Sequence, residues 1–150
     1  VCSSDLADVD GVSQTAVEEI VRVASPVTFM RRTATGDVTL AGEQFHDGDK
    51  FVMFYGAANR DPRVFTDPER FDVRRSPNPH VGFGGPGPHF CLGANLARRE
   101  VAVAFREIFR RLPDLEVTGP AVPLDTAGLP LVAGIKRLPV SFTPTARSTG

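Results

Sequence analysis

Val17, Ile20, Val21 and Ala24 recur at the spacing of one helical face, and Pro26 closes the pattern. Thr15 followed by Glu18 reads as a capping box, with Ser13 as a rival cap, so a first helix is predicted from about residue 13. Residues 1–12 carry no usable periodicity. Over residues 27–55 the pattern shortens to strands. Turn signals stand at 35–37 and 46–49, with apolar stretches at 38–40 and 51–55, which predicts a small sheet of hairpins. Residues 57–71 form a proline-punctuated loop that must be pinned to something else. A longer helical pattern follows, with Ala97, Val101, Ala104, Phe105, Ile108 and Leu112 as its apolar stripe. Arg98, Arg99, Arg106, Arg110 and Arg111 mark its more polar positions, and Pro113 is its stop. Short strands return at 115–117, 129–133 and 138–142, with Gly134-Ile135-Lys136-Arg137 between the last two; residues 145–150 read as a frayed tail. The sum is a mainly α chain with small β-sheets, an α+β class.

Composition narrows the class of function. Charged residues are 23%, hydrophobic residues 41% and the net charge is −1, a globular balance with no overall pull toward nucleic acid or an anionic membrane. No apolar run approaches the roughly 20 residues of a membrane helix, so no membrane span is expected. Two cysteines, Cys2 and Cys91, are too few for a disulfide scaffold and suit a reducing compartment, hence a cytoplasmic location. The start, Val1-Cys2-Ser3-Ser4, lacks both a methionine and a signal pattern, and is read as a truncation or an assembly scar.

The chemistry concentrates in Phe83-Gly84-Gly85-Pro86-Gly87-Pro88-His89-Phe90-Cys91-Leu92-Gly93-Ala94. This segment sets one cysteine at the mouth of the long helix, after a loop of glycines and stiffening prolines. Unpaired N–H groups and partial positive charge at a helix N-terminus favour thiolate over thiol, and thiolate is the metal-ligating form. The glycines leave one side of the sulfur open to something flat and large. A buried structural thiol is the ordinary alternative for a lone cysteine. A zinc site from Cys91 and His89 would lack its third and fourth ligands, since His46 and His80 lie in other loops. A nucleotide loop would need a lysine followed by serine or threonine, which are absent here. A thiol enzyme would need a base well placed beside Cys91, and His89 on a strained loop is poorly placed for that.

Gly87-Pro88-His89-Phe90-Cys91-Leu92-Gly93 resembles the cysteine-ligand loop of the cytochrome P-450 haem-thiolate monooxygenases. The loop's aromatic residue usually stands seven positions before the cysteine, where this chain has Gly84; Phe83 is one position further back, as though the loop carries an extra residue. Upstream, Glu19-Ile20-Val21-Arg22 resembles the family's Glu-x-x-Arg signature, and Pro68-Glu69-Arg70-Phe71 its proline-rich meander. The resemblance covers nearly the whole chain, about residues 16–144. It implies the C-terminal, haem-binding part of the fold over residues 13–144: helix, hairpin sheet, meander, cysteine loop, long helix and terminal hairpin. Asn78-Pro79-His80-Val81-Gly82 and the residues after it are most similar to actinobacterial members acting on methyl-branched lipids or steroid side chains.

The resemblance implies roles residue by residue. Cys91 is the expected axial ligand of a haem b iron (iron protoporphyrin IX), with Phe83, Gly84, Gly87 and Gly93 expected to bind the cofactor beside it, Phe83 as a shield over the sulfur. Arg32 and His89 are the expected propionate contacts, and an arginine fork suits a carboxylate. Arg31, adjacent on the same strand, points to the opposite face. Glu19, Arg22 and Arg70 are expected as a buried structural triad. Val27, Thr28 and Phe29, together with Leu131 and Val132, are expected to project into the substrate pocket. The implied activity inserts one oxygen atom of O2 into a C–H bond of a hydrophobic small molecule, lipid, steroid or terpenoid-like. Electrons would come from NAD(P)H through a ferredoxin and its reductase. The arginines near the cysteine end of the long helix could offer an acidic electron donor a landing patch. Members of the family are much longer, and the portion lacking here would carry the oxygen-activating helix. The chain is therefore expected to be inactive alone; a catalytically dead haem-binding or structural fragment is the alternative.

Overall fold

The computed structural model describes residues 9–124 and 131–144, with side chains from Gln14 onward. Helix α1 spans Val9–Ala24. It starts earlier than the capping residues suggested: Ser13 and Thr15 lie inside it, and the first turns fall in the stretch that showed no periodicity. It ends where expected, at Ser25 with positive φ (38°) before Pro26, and Ser25 N–H caps the Val21 carbonyl at 3.0 Å.

The first sheet pairs β1 (Phe29–Thr33) with β4 (Lys50–Phe54), antiparallel, with Arg32 opposite Phe51. Between them, β2 (Val38–Leu40) and β3 (Glu43–Phe45) make a separate hairpin. Its turn residues Ala41 and Gly42 both have positive φ, 52° and 88°, the twist that a two-residue hairpin connection requires. The pattern of the sequence signalled β2 and β4 but not β3, because Glu43-Gln44-Phe45 is short and mostly polar. The one-turn helix α2 (Tyr55–Ala58) follows β4.

The long helix α3 spans Ala94–Arg111, with Gly93 at its N-cap, and packs on α1. Its expected apolar stripe is only partly covered: Ala97, Val101, Ile108 and Leu112 are half-buried, while Ala104 and Phe105 are exposed. The terminal region differs from expectation. β5 (Glu116–Val117) pairs with β8 (Val140–Ser141) outside an inner pair of β6 (Val122–Pro123) and β7 (Ile135–Arg137). Residues 135–137, expected only as the connection between two strands, are themselves a strand. Lys136 and Arg137 hid the pattern, and Ile135, though apolar, is exposed like them. Of the strand expected at 129–133, residues 131–133 are described: Val132 bridges to Val27, and Ala133 N–H bonds the Pro26 carbonyl at 2.8 Å. The tail at 145–150 lies outside the described residues.

The centre of the molecule is charged. Among the described residues the largest fully buried side chains are Arg22, Glu19 and Asn59, and the buried apolar residues are Ala16, Val17, Val21, Ala34, Phe65, Val73 and Ala94, with the Arg22 guanidinium over the Phe65 ring. Among the same residues, seven apolar side chains are buried and eighteen large ones are exposed, so much apolar surface is left open among the described residues. No helix among the described residues is long and apolar enough to cross a membrane.

Candidate haem-ligand site

Cys91 is exposed, at the end of the loop that leads into α3. Its N–H donates to the Phe83 carbonyl at 2.9 Å, and its carbonyl accepts from Ala94 N–H at 3.2 Å, which closes the first turn around the sulfur. Gly84 has φ +90° and Gly87 φ +129°, conformations that side chains resist. A Cβ at Gly85 or Gly87 would meet nothing within 4 Å, so this face of the loop is open. Leu92 is fully exposed. Gly82 is required for another reason: a Cβ there would lie 2.6 Å from Val21 Cγ1, because the loop runs directly against α1.

The loop forms one wall of a cavity of about 540 Å³, which Arg32, Met53, Phe54, Tyr55 and Ala58 complete. His89 lines the same cavity, so Arg32 and His89, 57 residues apart by their numbers, share one chamber. Alternation along β1 leaves Arg32 half-buried and Arg31 exposed. Arg32 Nη1 donates to the Arg31 carbonyl at 3.0 Å, which holds the side chain back along its strand. Cys91 does not itself line this cavity, but its exposed soft sulfur on the same loop, the open glycine face, the apolar lining and two nitrogen-bearing side chains for carboxylates fit a haem.

Phe83 does not line the cavity. Its ring lies 4.5 Å beneath the Arg98 guanidinium and 5.9 Å from the His80 ring. Its contribution to the Cys91 loop is its carbonyl. None of the five substrate-pocket candidates lines this cavity; Thr28 N–H donates to the Leu131 carbonyl at 2.9 Å, and Phe29 packs on Phe54 with centroids 6.2 Å apart. The five pocket candidates therefore come from two segments that lie side by side, with Leu131 and Val132 about half exposed.

The carboxylate network requires a correction. Glu19 takes a two-point fork from Arg22 (Nε–Oε2 and Nη2–Oε1, both 2.8 Å). The second guanidinium on Glu19 is that of Arg75, not Arg70, with Nε at 3.2 and 3.1 Å from the two oxygens. Arg70 enters through its main-chain carbonyl, which accepts from Arg22 Nη2 at 3.1 Å and Arg75 Nη2 at 3.0 Å. The reason is geometric: the meander turns its carbonyls inward, and those of Asn59, Pro68 and Arg70 are all satisfied by Arg22. Asp72 N–H and Asn78 Nδ2 also donate to Glu19. Burial works to raise the Glu19 pKa, but the Arg22, Asp72 and Arg75 hydrogen bonds outweigh it and hold the carboxyl down to about 2.

Sequence reasoning missed Arg75, Asn59, Glu18 and His80, and took Arg98 for surface charge. Asn59 ties the meander at two points, donating to Ser25 Oγ at 2.9 Å and accepting from Val81 N–H at 2.8 Å. Glu18, expected as a cap, instead bonds His80 and Arg98. No local periodicity marks these residues, since the side-chain contacts that give them their roles, to Glu19, Ser25, Val81 and between Glu18 and its two partners, span 22 to 80 positions.

Comparison with known proteins agrees with this geometry. The sequence matches the family model described as cytochrome P450 over residues 2–128. It is 53% identical over 137 residues to a methyl-branched lipid omega-hydroxylase of Mycobacterium tuberculosis, covering 91% of this chain and 31% of that protein. A steroid C26-monooxygenase of Rhodococcus jostii is 47% identical over 129 residues, covering 86% and 27%. The fold superimposes on a Mycobacterium marinum cytochrome P450 solved with pseudoionone, with a TM-score of 0.84 and 48% identity, covering 91% of this chain and 32% of that one. The chain thus spans about a third of the length of the curated relatives it matches.

Proposed function

The chain belongs to the cytochrome P450 family, whose prosthetic group is a thiolate-ligated protoporphyrin IX haem, and from that premise we propose that it is the cysteine-ligand portion of a monooxygenase. The carrying observation is the exposed Cys91 at the head of α3, in a loop open on its glycine face and walling a cavity shared by Arg32 and His89. A haem held there by the Cys91 sulfur would supply dioxygen activation, which electron donation from that sulfur would favour.

The chain's own residues hold and orient that group. Cys91 presents its sulfur. Arg32 and His89 receive the propionates, and Arg32 can do so with two parallel hydrogen bonds. Gly84 and Gly87 keep the loop low enough for a flat ligand to approach. Val27, Thr28, Phe29, Leu131 and Val132 form an apolar edge of the substrate pocket, suited to a lipid or steroid-like molecule. The relatives' names, a lipid hydroxylase and a steroid monooxygenase, support that substrate class. Glu19, Arg22 and Arg75 brace the segment leading into the loop and take no part in bond-making. Electrons reach the site from NAD(P)H through a ferredoxin and its reductase, in the cytoplasm. Alone, the chain is inactive, because it spans a third of its relatives and leaves large apolar faces uncovered.

The test is the absorption spectrum of the reduced carbon-monoxide complex, in the full-length protein. A main band displaced to the red that Cys91→Ser abolishes supports the proposal. A protein that takes up no haem, or a band indifferent to Cys91→Ser, refutes it.

A further inference from the structure

Glu18 precedes the charged core by one residue and makes a separate connection. Its Oε2 accepts from His80 Nε2 at 2.7 Å, and its two oxygens accept the Arg98 fork, Nε on Oε1 at 2.5 Å and Nη2 on Oε2 at 3.0 Å. His80 Nδ1 accepts from Gly82 N–H at 3.1 Å, so the ring proton sits on Nε2 and points at Glu18. The His80 side chain is 3% exposed. Between the two partners lies Phe83, with its ring under Arg98 and beside His80. The same residue's carbonyl receives the Cys91 N–H. One carboxylate on α1 therefore grips both sides of the residue to which the cysteine is hydrogen-bonded.

We propose that Glu18, acting through His80 and Arg98, is a positioning residue for the Cys91 ligand: it clamps Phe83, and Phe83 fixes the angle at which the sulfur leaves the loop. The inference rests on the haem-thiolate reading above. It is a geometric chain of five contacts, Glu18–His80, Glu18–Arg98, His80–Phe83, Arg98–Phe83 and Phe83–Cys91, that ties together α1, the loop before the cysteine, and α3. Charge adds a second effect. The Glu18 hydrogen bond, opposed by burial and helped by attraction to Glu18 and to the Cys91 sulfur, holds Arg98 above its ordinary pKa. Paired with Glu18, that guanidinium is neutralised and held over the Phe83 ring. Without the carboxylate, an uncompensated positive charge stands near the sulfur and competes for its electron density.

Glu18→Gln keeps the shape and removes the charge. It is made in the full-length protein on a Cys2→Ser background, and two quantities are read. The first is the share of the reduced carbon-monoxide band at the unshifted position given by Cys91→Ser. The second is the rate at which iodoacetamide alkylates Cys91 before haem is loaded. The expected result is a larger unshifted share together with alkylation faster by about tenfold, the scale of one lost charge-assisted hydrogen bond. Wild-type values for both overturn the proposal, even if the unfolding midpoint falls, because the cluster would then be structural only. Should Glu18→Gln fail to accumulate, Arg98→Lys, which keeps the charge and loses the fork, decides by the same two measurements. A wild-type protein with no red-shifted band refutes the haem reading itself, and this inference with it; a normal wild-type band with unresponsive variants refutes this inference alone.

Discussion

Arg22 and Glu19 face each other across one helical turn with two 2.8 Å hydrogen bonds, and neither side chain is exposed at all. A buried ion pair is costly to desolvate and is weak evidence for stability in itself. Here the pair's remaining capacity is spent on the meander: Arg22 also donates to the Asn59, Pro68 and Arg70 carbonyls, while Glu19 accepts from Asp72, Arg75 and Asn78. A loop with little regular structure of its own is thereby fixed to α1, and through Asn59 to Val81, close ahead of the cysteine loop.

Removing one member of this pair strands the other. Glu19→Gln or Arg22→Met should lower the unfolding free energy by about 3–5 kcal/mol, read from urea melts of the haem-loaded protein. Arg75→Met should weaken the same network. Arg70→Ala should change stability by no more than about 0.5 kcal/mol, because its bonded atom is a main-chain carbonyl that alanine also carries. A large loss at Arg70 with none at Arg75 would reverse the assignment.

Acid should release the network. The Glu19 pKa is depressed in the folded chain from 4.5 to about 2, so its contribution is fully present above the unfolded value. As pH falls below about 4.5 the unfolded state gains a proton that the folded state refuses, and stability declines until about pH 2. Glu19→Gln should flatten that part of the stability profile. A profile as steep as wild type would assign the acid sensitivity elsewhere.

Gly82→Ala tests how tightly the loop lies on α1. The added Cβ would stand 2.6 Å from Val21 Cγ1, and 3.2 Å from His80 Nδ1 and from the Val21 carbonyl. A displacement costing about 1–3 kcal/mol is expected, seen as a lower melting temperature. Gly85→Ala, where a Cβ meets nothing, is the matched control and should leave the melting temperature nearly unchanged.

Arg32→Ala and His89→Ala should each speed haem transfer to apomyoglobin without moving the red-shifted band, since both residues line the cavity and neither is the axial ligand. Arg32→Lys should recover part of the retention, as it restores charge but not the fork. Band displacement in either alanine variant would place that residue on the sulfur side instead.

Local chemistry was written plainly in the chain. The stripe of α1, its stop at Pro26, the run of α3 and the glycine-proline loop ahead of Cys91 each depend on residues close in sequence, where spacing alone dictates the geometry. The same holds for the Glu19–Arg22 pair, three residues apart on one helix. What the fold alone decided was how distant segments satisfy one another: Arg75 on Glu19 in place of Arg70, Glu18 on Arg98 in place of a cap, β7 paired with β6, and the Phe83 ring beneath a guanidinium. Those choices turn on which buried carboxylate or carbonyl would otherwise go unpaired, and periodicity along a single chain carries no record of that.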